Sequence, residues 1–216
     1  MPINNTKRRA LHILSGTSTF EERFAPNHDE LVELIEELRS SGAIIVFTAG
    51  VWDLFHVGHG DYIQKGKEEA KKLYPEAEHI VMVVAVDTDE LTRERKGPKR
   101  PIVPEDERYR VLGHLRHVDI IAPERKFGEL QMIVKHDVRV ISTSTKDLPA
   151  NRAEFQALCT YLVDLPPQAK TSTTSRIRGL AIDGGLETFN KINERLTQAW
   201  DTFQQAMKEV GDELSQ

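Results

Sequence analysis

The chain has 216 residues with 29 Lys and Arg against 34 Asp and Glu, a formal net charge of -5. With 39% hydrophobic and 29% charged residues it can build a real apolar core, which excludes global disorder. The mildly acidic balance argues against a general nucleic-acid or membrane-surface partner, no apolar run is long enough to span a bilayer, and the lone Cys159 excludes an internal disulfide or a cysteine-based zinc cluster.

Lys7, Arg8 and Arg9 precede only a short apolar stretch, Ala10 to Leu14, which is not the pattern of a secretory signal. The segment reads as a partly ordered arm, with a basic targeting patch as the alternative, and the chain as cytoplasmic. From His28 to Ser41, Leu31, Leu34, Ile35 and Leu38 fall on one helical face, with Asn27 or Asp29 as start signal and Gly42 as stop. Ala43 to Thr48 is a short, fully buried strand, and a helix follows from about His59 to Leu73, stopped by Pro75. Ile80 to Val86 is a second buried strand. Continuous apolar strands separated by helices indicate a parallel sheet covered on both faces.

The alternation continues through a short helix at Asp87 to Arg95, a Pro/Gly/Lys/Arg loop at Gly97 to Pro104 and a helix at Glu105 to Leu115. Val118 to Ile121 is a strand, Phe127 to Lys135 a helix, Val138 to Ser142 a strand and Thr160 to Leu165 a fifth strand, closed by Pro166 and Pro167. The whole predicts an α/β, Rossmann-like, doubly wound parallel sheet of about five strands with a C-terminal helical extension. Its parts are an N-terminal arm and helix over 1–42, the α/β domain over 43–182 and an amphipathic helix over 183–216. In that last helix Leu196, Trp200, Phe203, Met207, Val210 and Leu214 form a short heptad seam, which either packs on its own domain or joins two copies as a homodimer.

The first strand runs into Gly50-Val51-Trp52-Asp53-Leu54-Phe55-His56-Val57-Gly58-His59 at the start of a helix. Backbone N–H groups and the helix dipole favour phosphate there, imidazoles can donate to phosphoryl oxygens, and Gly58 lets a ligand approach. A shared cation on His56 and His59, with Asp53 as third ligand, is the rival reading, and two core-satisfied histidines is the plain one. Arg93, Arg95, Lys96, Lys99 and Arg100 crowd the loop after the second strand, either as a solvated charge run or as a lid on phosphates. Ser172-Thr173-Thr174 open a helix, where they either cap it or, with Arg176, meet an anion. Arg108 either binds phosphate or pairs with Asp106.

These blocks resemble the H-x-G-H nucleotidyltransferases of the cytidylyltransferase-like superfamily. Its opening G-x-F-D-x-x-H-x-G-H is matched at residues 50–59 with Trp52 for Phe, its V-x-x-x-T-D-E at Val84 to Glu90, its E-R-x-x-x-L and V-D at Glu107 to Asp119, and its S-T-T helix start at Ser172 to Thr174. The resemblance implies that a phosphate-bearing acceptor attacks the α-phosphorus of a nucleoside triphosphate and releases pyrophosphate. It implies His56, His59 and Lys96 as catalytic groups, and Gly50, Val51, Trp52, Asp53, Gly58, Asp87, Arg100, Arg108, Ser172, Thr173, Thr174 and Arg176 as the nucleotide site. Mg2+ is implied through the triphosphate, with no protein ligand cluster, and the partners are a nucleoside triphosphate and a phosphorylated small molecule, without nucleic acid or membrane.

Two branches compete for the nucleotide. Glycerol- and ethanolamine-phosphate cytidylyltransferases carry an R-T-x-G before their S-T-T block, where this chain has Pro167-Gln168-Ala169-Lys170. Heptose-phosphate adenylyltransferases carry K-G-x-x-R-P-x-x-P-x-x-x-R, matched by Lys96 to Arg108, which favours ATP over CTP. After the fourth strand both branches have a Gly- and Asp-containing turn, whereas Ser142-Thr143-Ser144-Thr145-Lys146-Asp147 stands here, making Ser144 and Lys146 the candidates for the acceptor. A nucleotide-binding regulator without turnover is the reading from another class. A class I aminoacyl-tRNA synthetase fragment lacks its K-M-S-K-S loop here.

Overall fold

A computed structural model of the chain describes residues 5–143 and 148–169, together with Lys191, Ile192, Glu194, Arg195, Thr197 and Gln198. Five runs rich in Ile, Val and Ala form the strands β1 (Ile44–Gly50), β2 (Ile80–Asp87), β3 (Ile120–Glu124), β4 (Val138–Ser142) and β5 (Tyr161–Leu165), all parallel in the order β3-β2-β1-β4-β5. Successive side chains of a strand point to opposite faces, so runs apolar at every position require cover on both sides.

One face is covered by α4 (Val57–Leu73) and α6 (Glu105–Gly113), whose Ile63, Ala70, Tyr109 and Leu112 pack on Val46, Met82, Val84, Val138 and Val140. The other is covered by α3 (His28–Ser40) and α7 (Glu129–Ile133), whose Leu31, Leu34, Ile35, Leu38 and Leu130 pack on Ile45, Phe47, Val83 and Ala122. The expected α/β, doubly wound, Rossmann-like sheet is therefore present. The chain winds from β1 outward to β3 and then returns to β4 on the other side of β1. The order reverses between β1 and β4, and sheets of this kind bind ligands at the strand C-termini beside such a reversal.

The N-terminal segment is more structured than a partly ordered arm. Residues Asn5–Leu14 form α1 and Phe20–Arg23 form α2, the latter with a capping box between Thr19 and Glu22. Ala10 and Ile13 enter the same core as α3. Arg9 is buried rather than part of an exposed basic patch. Its guanidinium donates to the Glu22 and Phe24 carbonyls at 3.1 and 3.0 Å and to Glu30 at 3.1 Å. Beyond α2, the Ala25 N–H donates to the Ile121 carbonyl at 2.9 Å, so this segment covers the β3 edge.

Other boundaries moved for identifiable reasons. The third strand starts later than Val118 because the Asp119 carboxylate accepts from the Met82 N–H at 2.6 Å and the Lys67 ammonium at 2.5 Å, anchoring its start. The helix expected at Phe127 to Lys135 is shorter because Gly128, at φ 77°, makes the turn into α7. A helix absent from the sequence reading, α8 (Leu148–Ala157), links β4 to β5, and α5 (Asp89–Lys96) follows β2. Compact units divide at Lys170 and Thr171. In the second unit the described residues 191, 192, 194, 195, 197 and 198 are helical, and the apolar seam from Leu196 to Leu214 lies outside the described residues.

Candidate active site

The turn after β1 carries the two histidines. Trp52 and Leu54 have left-handed backbone angles, φ 58° and 45°, which cost energy in non-glycine residues and so require fixed surroundings. The Trp52 indole N–H donates to the Ala85 carbonyl at 3.0 Å, tying the turn to β2. The Asp53 carboxylate accepts from the Ile102 and Val103 N–H groups at 3.0 and 2.9 Å and pairs with Arg100 at 2.9 Å. Asp53 thus joins the turn to the basic loop rather than facing outward.

His56 is the N-cap of α4. Its Nδ1 accepts from the Gly58 N–H at 3.1 Å, which makes the neutral ring carry its proton on Nε2. The His59 ring stacks on that of His56 with centroids 4.0 Å apart and is flanked by Trp52 at 5.6 Å and Phe55 at 5.2 Å. Gly58 permits this packing: a Cβ there would lie 2.6 Å from Ala169 Cβ and 3.0 Å from the His56 ring. Two half-buried imidazoles thus stand together at a helix start, a place where backbone N–H groups favour anions.

The basic run divides in two. Arg95 donates to Asp87 at 2.6 Å while lying 4.1 Å from the Phe127 ring centre, and Arg100 pairs with Asp53. Arg93 and Lys96 are exposed on α5 rather than in a loop, and Lys99 is exposed in the turn that follows. Arg108 is fully buried. Its guanidinium donates to the carbonyls of Val51 at 2.5 Å, Asp87 at 2.8 Å and Val103 at 3.0 Å, and to Asp89 at 2.7 Å. It fastens the ends of β1 and β2 to the basic loop, so Arg108 pairs with Asp89 and not with Asp106. Gly50 and Val51 lie at the β1 end beside these groups. Ser144, Lys146, Ser172, Thr173, Thr174 and Arg176 lie outside the described residues.

At the strand ends Asp87, an expected nucleotide-site residue, meets Glu124, which none of the sequence motifs includes. Asp87 and Glu124 are register partners at the ends of β2 and β3 and are both buried. Burial, and then the neighbouring Asp87 carboxylate, push the Glu124 carboxyl up to about 7. Burial also raises Asp87, against the opposing pull of Arg95. Arg139 on β4 is buried with its guanidinium 4.5 Å from the Phe47 ring centre and 5.2 Å from that of Phe155. The signal in the sequence is a charge inside the apolar run Val138-Arg139-Val140 and another just past Ile120-Ile121-Ala122.

The chain matches the cytidylyltransferase-like family over residues 47–178, more than half its length. It belongs to that family. Among curated relatives, the bifunctional protein HldE of Methylobacillus flagellatus is 31% identical over 181 residues, 82% of this chain and 35% of the relative. HldE of Gluconobacter oxydans is 32% identical over 157 residues, 70% of this chain and 30% of the relative. HldE of Nitratiruptor is 36% identical over 121 residues, 55% and 24% respectively. The chain therefore spans about a third or less of these relatives. A solved lipopolysaccharide core biosynthesis protein from Thermoplasma volcanium is 25% identical with a TM-score of 0.45, covering 60% of this chain and 98% of that one. Membership in this nucleotidyltransferase family agrees with the histidine pair standing at the end of β1. No described helix is long and apolar enough to cross a membrane.

Proposed function

We propose that the chain transfers the adenylyl group of ATP to a phosphorylated small-molecule acceptor and releases pyrophosphate. The observation that supports this reading is the histidine pair at the start of α4, in which His56 Nδ1 accepts from the Gly58 N–H and the His59 ring stacks on that of His56. An oxygen of the acceptor phosphate attacks the α-phosphorus, the bond from that phosphorus to the bridging oxygen of the β-phosphate breaks, and pyrophosphate departs with the electron pair. The acceptor is already a nucleophile, so the protein has to align the groups and neutralise charge. His56 and His59 donate to phosphoryl oxygens as charge builds, and exposed Lys96 closes over the triphosphate.

Magnesium enters with the substrate as the metal complex of the triphosphate. The Asp53 carboxylate is already held by Arg100 and two backbone N–H groups, and among the described residues no group of three or more His, Cys, Asp or Glu could hold a metal ion. The Lys96 to Arg108 signature and the HldE relatives support ATP over CTP. A CTP-dependent transfer to a polyol or amino-alcohol phosphate is the second reading, favoured by the family description itself. Pyrophosphate release measured with ATP and with CTP over phosphorylated sugars, polyols and amino alcohols tests both. Tight ATP binding without release on any acceptor would instead make the chain a nucleotide-binding regulator. We further propose that the chain forms a homodimer in the cytoplasm, for which a monomer mass in solution is the opposing result.

A further inference from the structure

The ends of β2 and β3 carry two acids that stand apart from the histidine turn. Asp87 and Glu124 are register partners on adjacent parallel strands about 4.8 Å apart, so their side chains leave the same face of the sheet. Both are buried, and the Thr88 N–H donates to the Glu124 carbonyl at 2.9 Å, which joins the two strand ends. Asp87 Oδ2 accepts from Arg95 at 2.6 Å, whereas Asp87 Oδ1 and Glu124 Oε1 have no hydrogen-bond partner among the described residues. Adjacent buried carboxylates repel, and Arg95 pairs with only one of them. A proton on Glu124 removes the second charge and supplies the O–H that one acid can donate to the other. The remaining neighbours do not replace it. Arg139 of β4, the Leu130 N–H of α7 and Arg95 of α5 favour the ionised form of Glu124, but burial and Asp87 outweigh them. Arg108 of α6 is taken up by Asp89 and three carbonyls, and Glu129 of α7 faces the Arg125 N–H and His28.

We propose that Glu124 is a positioning residue for nucleotide binding: its protonated carboxyl donates to Asp87, which leaves Asp87 as the single anion holding Arg95 and, with it, the basic end of α5. Arg95 is gripped from two sides, by Asp87 and by the Phe127 ring, whose centre is 4.1 Å away. Lys96, next in sequence, is the last residue of α5 before Gly97 turns the chain at φ 94°. The exposed lysine is therefore aimed by its buried neighbour. Loss of the Glu124 proton sets a second anion beside Asp87, draws Arg95 between the two and shifts Lys96. The Glu124 carboxyl is pushed up to about 7, so the competent, protonated form is depleted as pH rises through neutrality, and ATP binding weakens. The role given to Lys96 rests on the nucleotidyltransferase reading, whereas the way it is held rests on the strand ends alone.

The test titrates ATP calorimetrically into the full chain and into Glu124→Gln at pH 6, 7 and 8, with pyrophosphate release followed separately. ATP and every other titrating group act alike in both proteins, so the ratio of variant to wild-type affinity isolates the Glu124 proton. Glutamine keeps a donor toward Asp87 at every pH. The ratio should therefore rise about tenfold from pH 6 to pH 8, the change in protonated fraction of a group titrating at about 7. A rise below about threefold in folded protein overturns the proposal. Arg95→Met cuts the link downstream of Glu124 and should show the same rise from a lower starting affinity, which keeps the test decisive if Glu124→Gln does not fold. Adding Glu124→Gln to Arg95→Met should then change ATP affinity by less than about twofold at any pH, and a full tenfold effect there would overturn Arg95 as the link. A rising ratio without pyrophosphate release on any acceptor supports the positioning role while the transfer reading falls. A flat ratio with tight ATP binding and release does the reverse, and absence of ATP binding at every pH overturns both.

Discussion

Glu124→Gln should change how stability depends on pH, because two buried groups near the β4 and β3 strands titrate in opposite senses. The Glu124 carboxyl ordinarily ionises near 4.5 but is pushed up to about 7 in the fold by burial, so below 4.5 it is protonated in both states. Between 4.5 and about 7 the folded state holds the proton longer, and stability falls as pH rises, by about 3 kcal/mol in all at ~1.4 kcal/mol per pH unit. His136 does the opposite. Burial lowers its imidazole from 6.5 to about 4, so the unfolded state holds more protons and stability rises with pH by about 3 kcal/mol across that range. The two trends offset each other over most of their shared window. Glu124→Gln removes the falling limb and exposes the His136 rise. Urea unfolding of both proteins, followed by far-ultraviolet circular dichroism from pH 4 to 7.5, measures the difference directly. The variant should gain relative to wild type by about 3 kcal/mol between pH 4.5 and 7 and then run parallel. A difference that stays constant within about 1 kcal/mol over that window would show that the buried carboxyl is ionised throughout, and the reasoning would fail.

Three further substitutions probe the site. His59→Ala should lower turnover by roughly 100-fold or more while leaving the melting temperature near that of wild type, and near-normal turnover would remove the phosphate role. Arg108→Met leaves the Val51, Asp87 and Val103 carbonyls and Asp89 without their shared donor, and should cost about 3–5 kcal/mol in denaturant unfolding. A loss below about 1 kcal/mol would mean the strand ends are fastened otherwise. Gly58→Ala puts a Cβ 2.6 Å from Ala169 and 3.0 Å from the His56 ring, so it should destabilise by about 1–3 kcal/mol and weaken ATP binding together. Wild-type values for both would show that the turn has slack.

What the sequence made readable and what it hid differ in range. The strands were visible because burial on both faces leaves unbroken Ile and Val runs, a signal contained within eight residues or fewer. The histidine turn was visible because its residues are contiguous, and the cap that fixes the His56 tautomer lies two positions away at Gly58. Arg9, Asp53 and Arg108 were harder, since a lone charged residue gives no sign of whether it faces solvent or carbonyls far along the chain. Arg108 reaches Val51 across 57 positions, and Asp53 meets Val103 across 50. The missing information is therefore partner identity, which only the strand order supplies. Arg139 and Glu124 show the same limit from the other side. Strand register places both on the α3 side of the sheet, Glu124 at the end of β3 and Arg139 near the start of β4. Arg139 Nε and Nη1 and Glu124 Oε1 are buried without hydrogen-bond partners among the described residues, a cost to the fold that a lone charged residue in the sequence does not reveal.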